Sequence, residues 1–339
     1  MQSFDELSLG EGNTPLIPLR DLAAKWGIAE IWAKAEWRNP TGSYKDRIAV
    51  ATMRFAKERG FAGWLGTSSG NGGAAMAAYG SRAQLPGFLC VVANAPTEKL
   101  LAIRPYQVTL FLMEHLNSSE MMRLAQLSAE WNLKLAITAY SFNPEGMIGA
   151  EDIGQEIANA GSFSHVYVPS GGGGLLTAVS NGFDKNGDKP RIICAQPNGC
   201  APISCFIEGV ISDPEIDMCE SSISGLQLIS PPDGVLAANA VRRSGGWGSK
   251  ALDEETWQAQ EDLAKYEGIF VEPASALALA CLRNDRMSDR LASDSRTVVI
   301  LTATGLKDLS PIAHRFPLVR EFSEISHVRT VLEETLDRH

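Results

Sequence analysis

Apolar and polar positions along this chain follow two rhythms that take turns. Short runs dense in β-branched and aromatic residues, at 30–36, 63–67, 88–93, 108–113, 134–138, 166–169, 191–196 and 297–302, read as strands. Between them, apolar residues at three- and four-residue spacing predict helices over 48–59, 72–82, 98–104, 118–131 and 146–159, with another starting at Leu175. The first of these carries Ile48, Ala51, Thr52, Phe55 and Ala56 on one stripe. Strands alternating with helices predict an α/β fold of parallel sheets with helices on both faces. Residues 197–248, rich in Ser, Pro, Gly and Cys, break the rhythm and read as a surface excursion, with a flap beside a site as the alternative. The stretch from Glu321 to His339 reads as an exposed amphipathic helix, a candidate subunit contact.

Composition narrows the classes. With 339 residues and 45% hydrophobic content the chain can bury a large core, and its length suggests two domains. The net charge of -10, without a run of Lys and Arg, excludes a nucleic-acid footprint. No apolar segment is long enough to span a bilayer, so no membrane partner is expected, and no secretory signal opens the chain. Four of the six cysteines lie between 194 and 219 without a histidine among them, so free thiols in a cytoplasmic protein are expected rather than a metal site.

Four segments carry chemistry. In Asn39-Pro-Thr-Gly-Ser-Tyr-Lys-Asp-Arg47 a rigid turn delivers Lys45 to a helix start. Alone, an ordinary surface lysine accounts for it; an amine that must form an imine with an aldehyde cofactor also needs such placement. Asp46 and Arg47 read as anchors of that helix. In Gly66-Thr-Ser-Ser-Gly-Asn-Gly-Gly-Ala-Ala75 a strand ends and a helix opens, so Ser68, Ser69 and exposed N–H groups suit an anion such as a substrate carboxylate, and Asn71 adds an amide. Gly70, Gly72 and Ala75 satisfy a dinucleotide pattern, but the acidic residue expected after the next strand is missing. In Val166-Tyr-Val-Pro-Ser-Gly-Gly-Gly-Gly-Leu-Leu176 a strand runs into Gly171, Gly172, Gly173 and Gly174 before a helix, which suits a phosphate without a P-loop or Rossmann signature. The strand around Val298 delivers Thr302 at its C-terminal end, where a hydroxyl can meet a ring nitrogen. A lysine for an imine, a phosphate cup, an amide for a phenolic oxygen and a partner for a ring nitrogen together match pyridoxal 5'-phosphate.

These segments, with Gly12-Asn-Thr-Pro-Leu16, Glu272-Pro-Ala-Ser-Ala276 and Leu301-Thr-Ala-Thr-Gly-Leu-Lys-Asp308, make the chain resemble the threonine synthases. More broadly it is similar to the pyridoxal-phosphate enzymes of the tryptophan synthase β-subunit fold (fold type II), from about Gly10 to about Pro311. The resemblance implies a three-layer αβα architecture in two domains, a large one from 1–50 and 150–339 and a small mobile one from 51–149. It implies that Lys45 is the Schiff-base lysine and proton shuttle. Asn71 would face the phenolic oxygen, Gly171 to Gly174 the phosphate and Thr302 the pyridine nitrogen. Ser68 and Ser69, with Asn71 and Asn143, would meet an amino-acid substrate. The implied protein is a cytoplasmic homodimeric lyase converting O-phosphohomoserine to threonine. A serine/threonine dehydratase and a β-replacement synthase acting on an O-activated amino acid are the alternatives, and a cofactor-binding partner protein without turnover is the alternative of another class. One departure bears on substrate: after Asn143-Pro-Glu-Gly146 the arginine usual in threonine synthases is missing, and the chain reads Met-Ile-Gly-Ala-Glu-Asp-Ile153.

Overall fold

The computed structural model describes residues 6–93, 95, 97–309, 312, 315, 316 and 324–336. In chain order the elements are β1 (Leu16–Pro18), α1 (Arg20–Trp26), β2 (Glu30–Ala35), α2 (Lys45–Glu58), β3 (Gly63–Gly66), α3 (Asn71–Ala83), β4 (Gly87–Val92), α4 (Thr97–Leu101), β5 (Val108–Met113), α5 (Ser118–Glu130), β6 (Leu133–Leu135), α6 (Pro144–Met147), α7 (Asp152–Ala160), β7 (His165–Pro169), α8 (Gly174–Asn186), β8 (Arg191–Pro197), α9 (Pro202–Ile207), α10 (Gly234–Ser244), β9 (Gly248–Ala251), α11 (Asp253–Glu267), α12 (Pro273–Met287) and β10 (Arg296–Leu301). Residues 308–339 form a separate unit holding α13 (Ile325–Leu336). The rest of the expected 321–339 helix lies outside the described residues, Glu324 excepted, as does Pro311.

Two sheets organise the chain. The larger runs β1-β2-β10-β7-β8-β9 and the smaller β5-β4-β3-β6. Every pairing is parallel except β1 on β2. Parallel strands covered on both faces read as continuous apolar runs, and β7 and β10 are buried along nearly their whole length. The smaller sheet depends on one close approach. Trp64 of β3 is wholly buried, and a Cβ on Gly80 or Gly87 would strike its indole, so neither position tolerates a side chain without a shift.

Register places chemistry at strand ends. β10 pairs with β2 through Leu301↔Ala35 and with β7 through Val299↔Tyr167, so the segments following all three strands leave the larger sheet side by side. Those segments carry Lys45, Thr302 and the glycine loop, at the C-terminal edge where open α/β sheets bind ligands.

Three expectations are corrected. The 134–138 strand ends at Leu135, which frees Thr138 to turn toward α2. The expected 146–159 helix starts earlier, at Pro144 behind the Asn143 cap, and is broken into α6, a 3-10 turn over Ile148–Ala150, and α7. The 197–248 segment is not a plain surface excursion. It contains α9, α10 and the start of β9, and its 225–233 stretch lies directly on the glycine loop.

Candidate active site

Lys45 is the first residue of α2, and its half-buried amine donates to Thr138 Oγ1 at 2.8 Å while sitting 4.6 Å from the centre of the Tyr44 ring. The helix start is held from both sides. The Tyr44 N–H donates to the Thr302 carbonyl at 3.0 Å, and Ser43 bridges Ala303. The Asp46 carboxylate accepts from the Thr41 N–H at 2.6 Å and from its hydroxyl, closing the Pro-Thr-Gly turn. Burial pushes Asp46 up to about 6, against the hydrogen bonds from Thr41.

Arg47 anchors the same turn of helix to the core. It donates to Glu36 through Nε and a terminal nitrogen, both at 2.9 Å, and to Glu156 at 2.7 and 2.8 Å. Glu36 also accepts from Asn39 and Thr14, and Glu156 from Lys34. Arg47 and Asp46 thus act as the expected anchors of the lysine helix.

The smaller sheet supplies the facing wall. Ser68 and Ser69 lie half-buried between β3 and α3, with Ser68 Oγ accepting the Gly70 N–H at 3.3 Å. A Cβ on Gly72 would sit 3.2 Å from Ser68 Oγ and 3.6 Å from the Thr138 methyl, so the serine loop adjoins the partner of Lys45. Asn71, first residue of α3, donates its amide to Glu272 Oε2 at 2.9 Å. The buried Thr302 hydroxyl lies 2.7 Å from Ser275 Oγ and 3.5 Å from Glu272 Oε1. One carboxylate therefore joins Asn71 to Thr302.

The glycine loop runs from β7 into the thirteen-residue α8, whose first turn leaves N–H groups without helical partners. Its glycines answer first to the 225–233 stretch. A Cβ on Gly171 would lie 2.7 Å from the Gly225 carbonyl, and one on Gly173 (φ 89°) 2.7 Å from that of Asp233. At Gly174 it would meet Met147 Cε at 2.8 Å. Only Gly172 has room, with Pro232 3.5 Å away. Asp233 clamps this region, accepting from Tyr140 N (2.7 Å), Ser141 N (3.1 Å) and Ser141 Oγ (2.9 Å) while its own N–H donates to Gly172 O (2.9 Å).

Asn143 stands apart from this group. Its side chain is wholly buried, accepting the Gly146 N–H at 3.2 Å and donating to Thr52 at 2.8 Å. It was expected to meet substrate, and its geometry is that of a helix cap. Sequence patterns assign no site role to Thr138, Asp233 or Ser275; Glu272, just before Pro273 at a helix start, reads first as a helix-start carboxylate and second as a site residue.

A lysine amine, a glycine loop opening a helix, an amide and a neutral hydroxyl fit pyridoxal phosphate, and the family model described as pyridoxal-phosphate dependent enzyme matches residues 7–303. The chain belongs to this family. Members use pyridoxal phosphate, so the chain is a cofactor-dependent enzyme. Curated threonine synthases are similar to it over most of its length. That of Halalkalibacterium halodurans is 35% identical over 89% of this chain and 84% of its own length. That of Methanosarcina acetivorans is 32% identical over 90% of this chain and 77% of its own. Among solved structures, maize serine racemase superposes with a TM-score of 0.78 at 22% identity, covering 90% of this chain and 91% of that one. The processed threonine deaminase isoform 2 of Solanum lycopersicum gives 0.75 at 19%, covering 89% and 81%. These establish the α/β fold of the fold type II family. No helix among the described residues is long and apolar enough to cross a membrane.

Proposed function

We propose that this enzyme acts as a threonine synthase, converting O-phosphohomoserine and water to threonine and phosphate. The observation that carries the reading is the Lys45 amine held on Thr138 beside the Ser68 loop, together with threonine synthases at 31–35% identity over most of the chain. Bound pyridoxal phosphate supplies a conjugated ring that stores the electron pair released at the substrate α-carbon. The residues that would hold it are Lys45 at its aldehyde carbon, Asn71 at the ring oxygen, Thr302 at the ring nitrogen, and Gly171, Gly172, Gly173 and Gly174 at the phosphate. Lys45 moves the α-proton, and Thr138 fixes where the free amine rests. Ser68 and Ser69 hold the substrate carboxylate at the start of α3. Residues 51–149 act as the mobile domain, closing the serine loop over the substrate and the reacting water and shutting out bulk solvent. The enzyme works as a cytoplasmic homodimer. Its six free cysteines suit a reducing compartment, and Ile325, Val328 and Leu332 of α13 offer an exposed apolar stripe.

A second reading, a serine/threonine dehydratase, is favoured by the segment following Asn143. No Lys or Arg occurs from 143 to 153, a Cβ on Gly146 would strike Thr52 and Asn143, and Met147 is wholly buried. Incubation with O-phosphohomoserine, serine, threonine and O-acylserine, with phosphate, ammonia and keto acid assayed separately, decides between them. Phosphate with threonine is the expected product pair. Ammonia and keto acid without phosphate would replace the synthase reading with the dehydratase one.

A further inference from the structure

Glu272 lies at the junction of two residues that reach the site from different sheets. Its Oε2 accepts from the Asn71 amide at 2.9 Å, at the start of α3 beside the smaller sheet. Its Oε1 lies 3.5 Å from Thr302 Oγ1, at the end of β10 in the larger sheet. The carboxylate stands on a fixed stem. The Glu272 N–H donates to the Ala303 carbonyl at 3.1 Å, and Glu272 is the N-cap of the fifteen-residue α12 with Pro273 following. Negative charge at a helix start is favoured. Lys307 adds a positive charge nearby. Its Nζ is buried with no hydrogen-bond partner among the described residues, and burial draws its pKa down while Asp46 and Glu272 oppose that.

We propose that Glu272 is a positioning residue for the cofactor ring, fixing the Asn71 amide with its nitrogen toward the ring oxygen and holding the Thr302 hydroxyl at the ring nitrogen. The inference rests on the proposed ring contacts of Asn71 and Thr302. An asparagine amide can turn over, exchanging donor for acceptor, and only its partners decide which end points where. An ionised carboxylate accepts and does not donate, so beside Glu272 the amide must present nitrogen. The second N–H of that nitrogen is then the donor that a ring oxygen needs. On the other side, Ser275 Oγ accepts the Ala303 N–H at 2.9 Å, and its own proton is within reach of Thr302 Oγ1 at 2.7 Å and of the Ala303 carbonyl at 3.3 Å. With that proton given to the nearer Thr302, the Thr302 hydroxyl keeps its own for Glu272 and the ring nitrogen.

The test compares cofactor-loaded wild type with E272A, E272Q, N71A, T302A and the N71A/E272A double variant. The readouts are the cofactor's visible absorption maximum, the pH dependence of that band, and kcat and KM. E272A should displace the band in the same direction as N71A and lower kcat/KM roughly tenfold, mostly in kcat, equivalent to about 1.4 kcal/mol. E272Q should restore most of the wild-type spectrum, because its carbonyl still accepts from Asn71 while its amide donates to Thr302. The double variant should shift the band by less than the sum of the two single variants, because the Asn71 share of the effect is already gone. A carboxylate serving only as a helix cap would lower stability and leave the band where it is. If N71A moves the band and E272A does not, the role of Glu272 is refuted. If E272A does not fold, E272M decides, since it keeps the side-chain bulk but cannot accept from Asn71: a band left at the wild-type position would overturn the proposal. If neither N71A nor T302A moves the band, the ring contacts themselves are wrong and this inference falls with them.

Discussion

Replacing Arg47 with alanine removes a cation shared by two carboxylates at the base of the Lys45 helix. Four hydrogen bonds of 2.7–2.9 Å disappear, and the Glu36 side chain they leave is 0% exposed and that of Glu156 19%. Breaking a buried ion pair from one side costs about 3–5 kcal/mol, because the remaining charge stays buried. Here Glu36 keeps Thr14 and Asn39, and Glu156 keeps Lys34 and the Asn13 N–H, which places the loss near the lower figure. At about 2–4 °C per kcal/mol the melting temperature should fall by roughly 10 °C. R47K should recover only part of this, since one ammonium cannot reproduce the fork that reaches both carboxylates. The assay is thermal and urea unfolding followed by circular dichroism.

The same network sets an acid limit. Burial alone would raise Glu156, but hydrogen bonds from Arg47 and Lys34 bring it from 4.5 down to about 2. A depressed folded-state pKa gives stability that is fully present above the unfolded value and is lost as pH falls from about 4.5 toward 2. Wild type should therefore lose about 3 kcal/mol from this group across that window, and R47A much less. An R47A loss below about 1 kcal/mol, with the wild-type acid slope unchanged, would refute the reasoning.

Three further outcomes follow from the geometry. D233A removes the acceptor of three hydrogen bonds and should destabilise by about 2–3 kcal/mol while raising the cofactor Kd at least roughly tenfold, measured by absorbance after dialysis; D233N should be milder. G173A forces a Cβ at φ 89° against the Asp233 carbonyl and should cost at least about 1–2 kcal/mol, whereas G172A should change stability by less than about 0.5 kcal/mol in urea titrations. His165, packed 5.4 Å from the Trp247 ring, is held down to about 4 by burial and then by Arg191, so stability should fall as pH drops from 6.5 toward 4, and H165F should flatten that slope.

Much of this site was legible because its residues sit where local patterns change. Lys45, Asn71 and Gly174 each begin a helix directly after a turn or strand, and such junctions are written in Pro, Gly and Ser. The α/β rhythm was legible for the same reason, since β2, β4, β5, β7, β8 and β10 are dense apolar runs. The three-residue β1 is too short to show a period, and β9 is a Gly-Ser-Lys-Ala run without β-branched residues. What local patterns could not carry were contacts distant in sequence. Asn71 and Glu272 are 201 residues apart, Tyr140 and Asp233 93, and Lys45 and Thr138 93. The four glycines illustrate the point. Their number signalled close backbone approach, but the approaching group at three of them is residues 225–233 or Met147. Asn143 is ambiguous for the opposite reason: the same amide that can bind substrate also caps a helix, and here it does cap α6.

Everything at this site depends on the amine at position 45 taking up the cofactor. The most direct measurement is borohydride reduction of the cofactor-loaded enzyme, followed by proteolysis and mass mapping of the fixed pyridoxyl group. One labelled peptide is expected, carrying the mass on Lys45, together with a colourless K45A variant. A label on Lys307 or another lysine with Lys45 unmodified, or a K45A variant that keeps the wild-type absorbance, would contradict it.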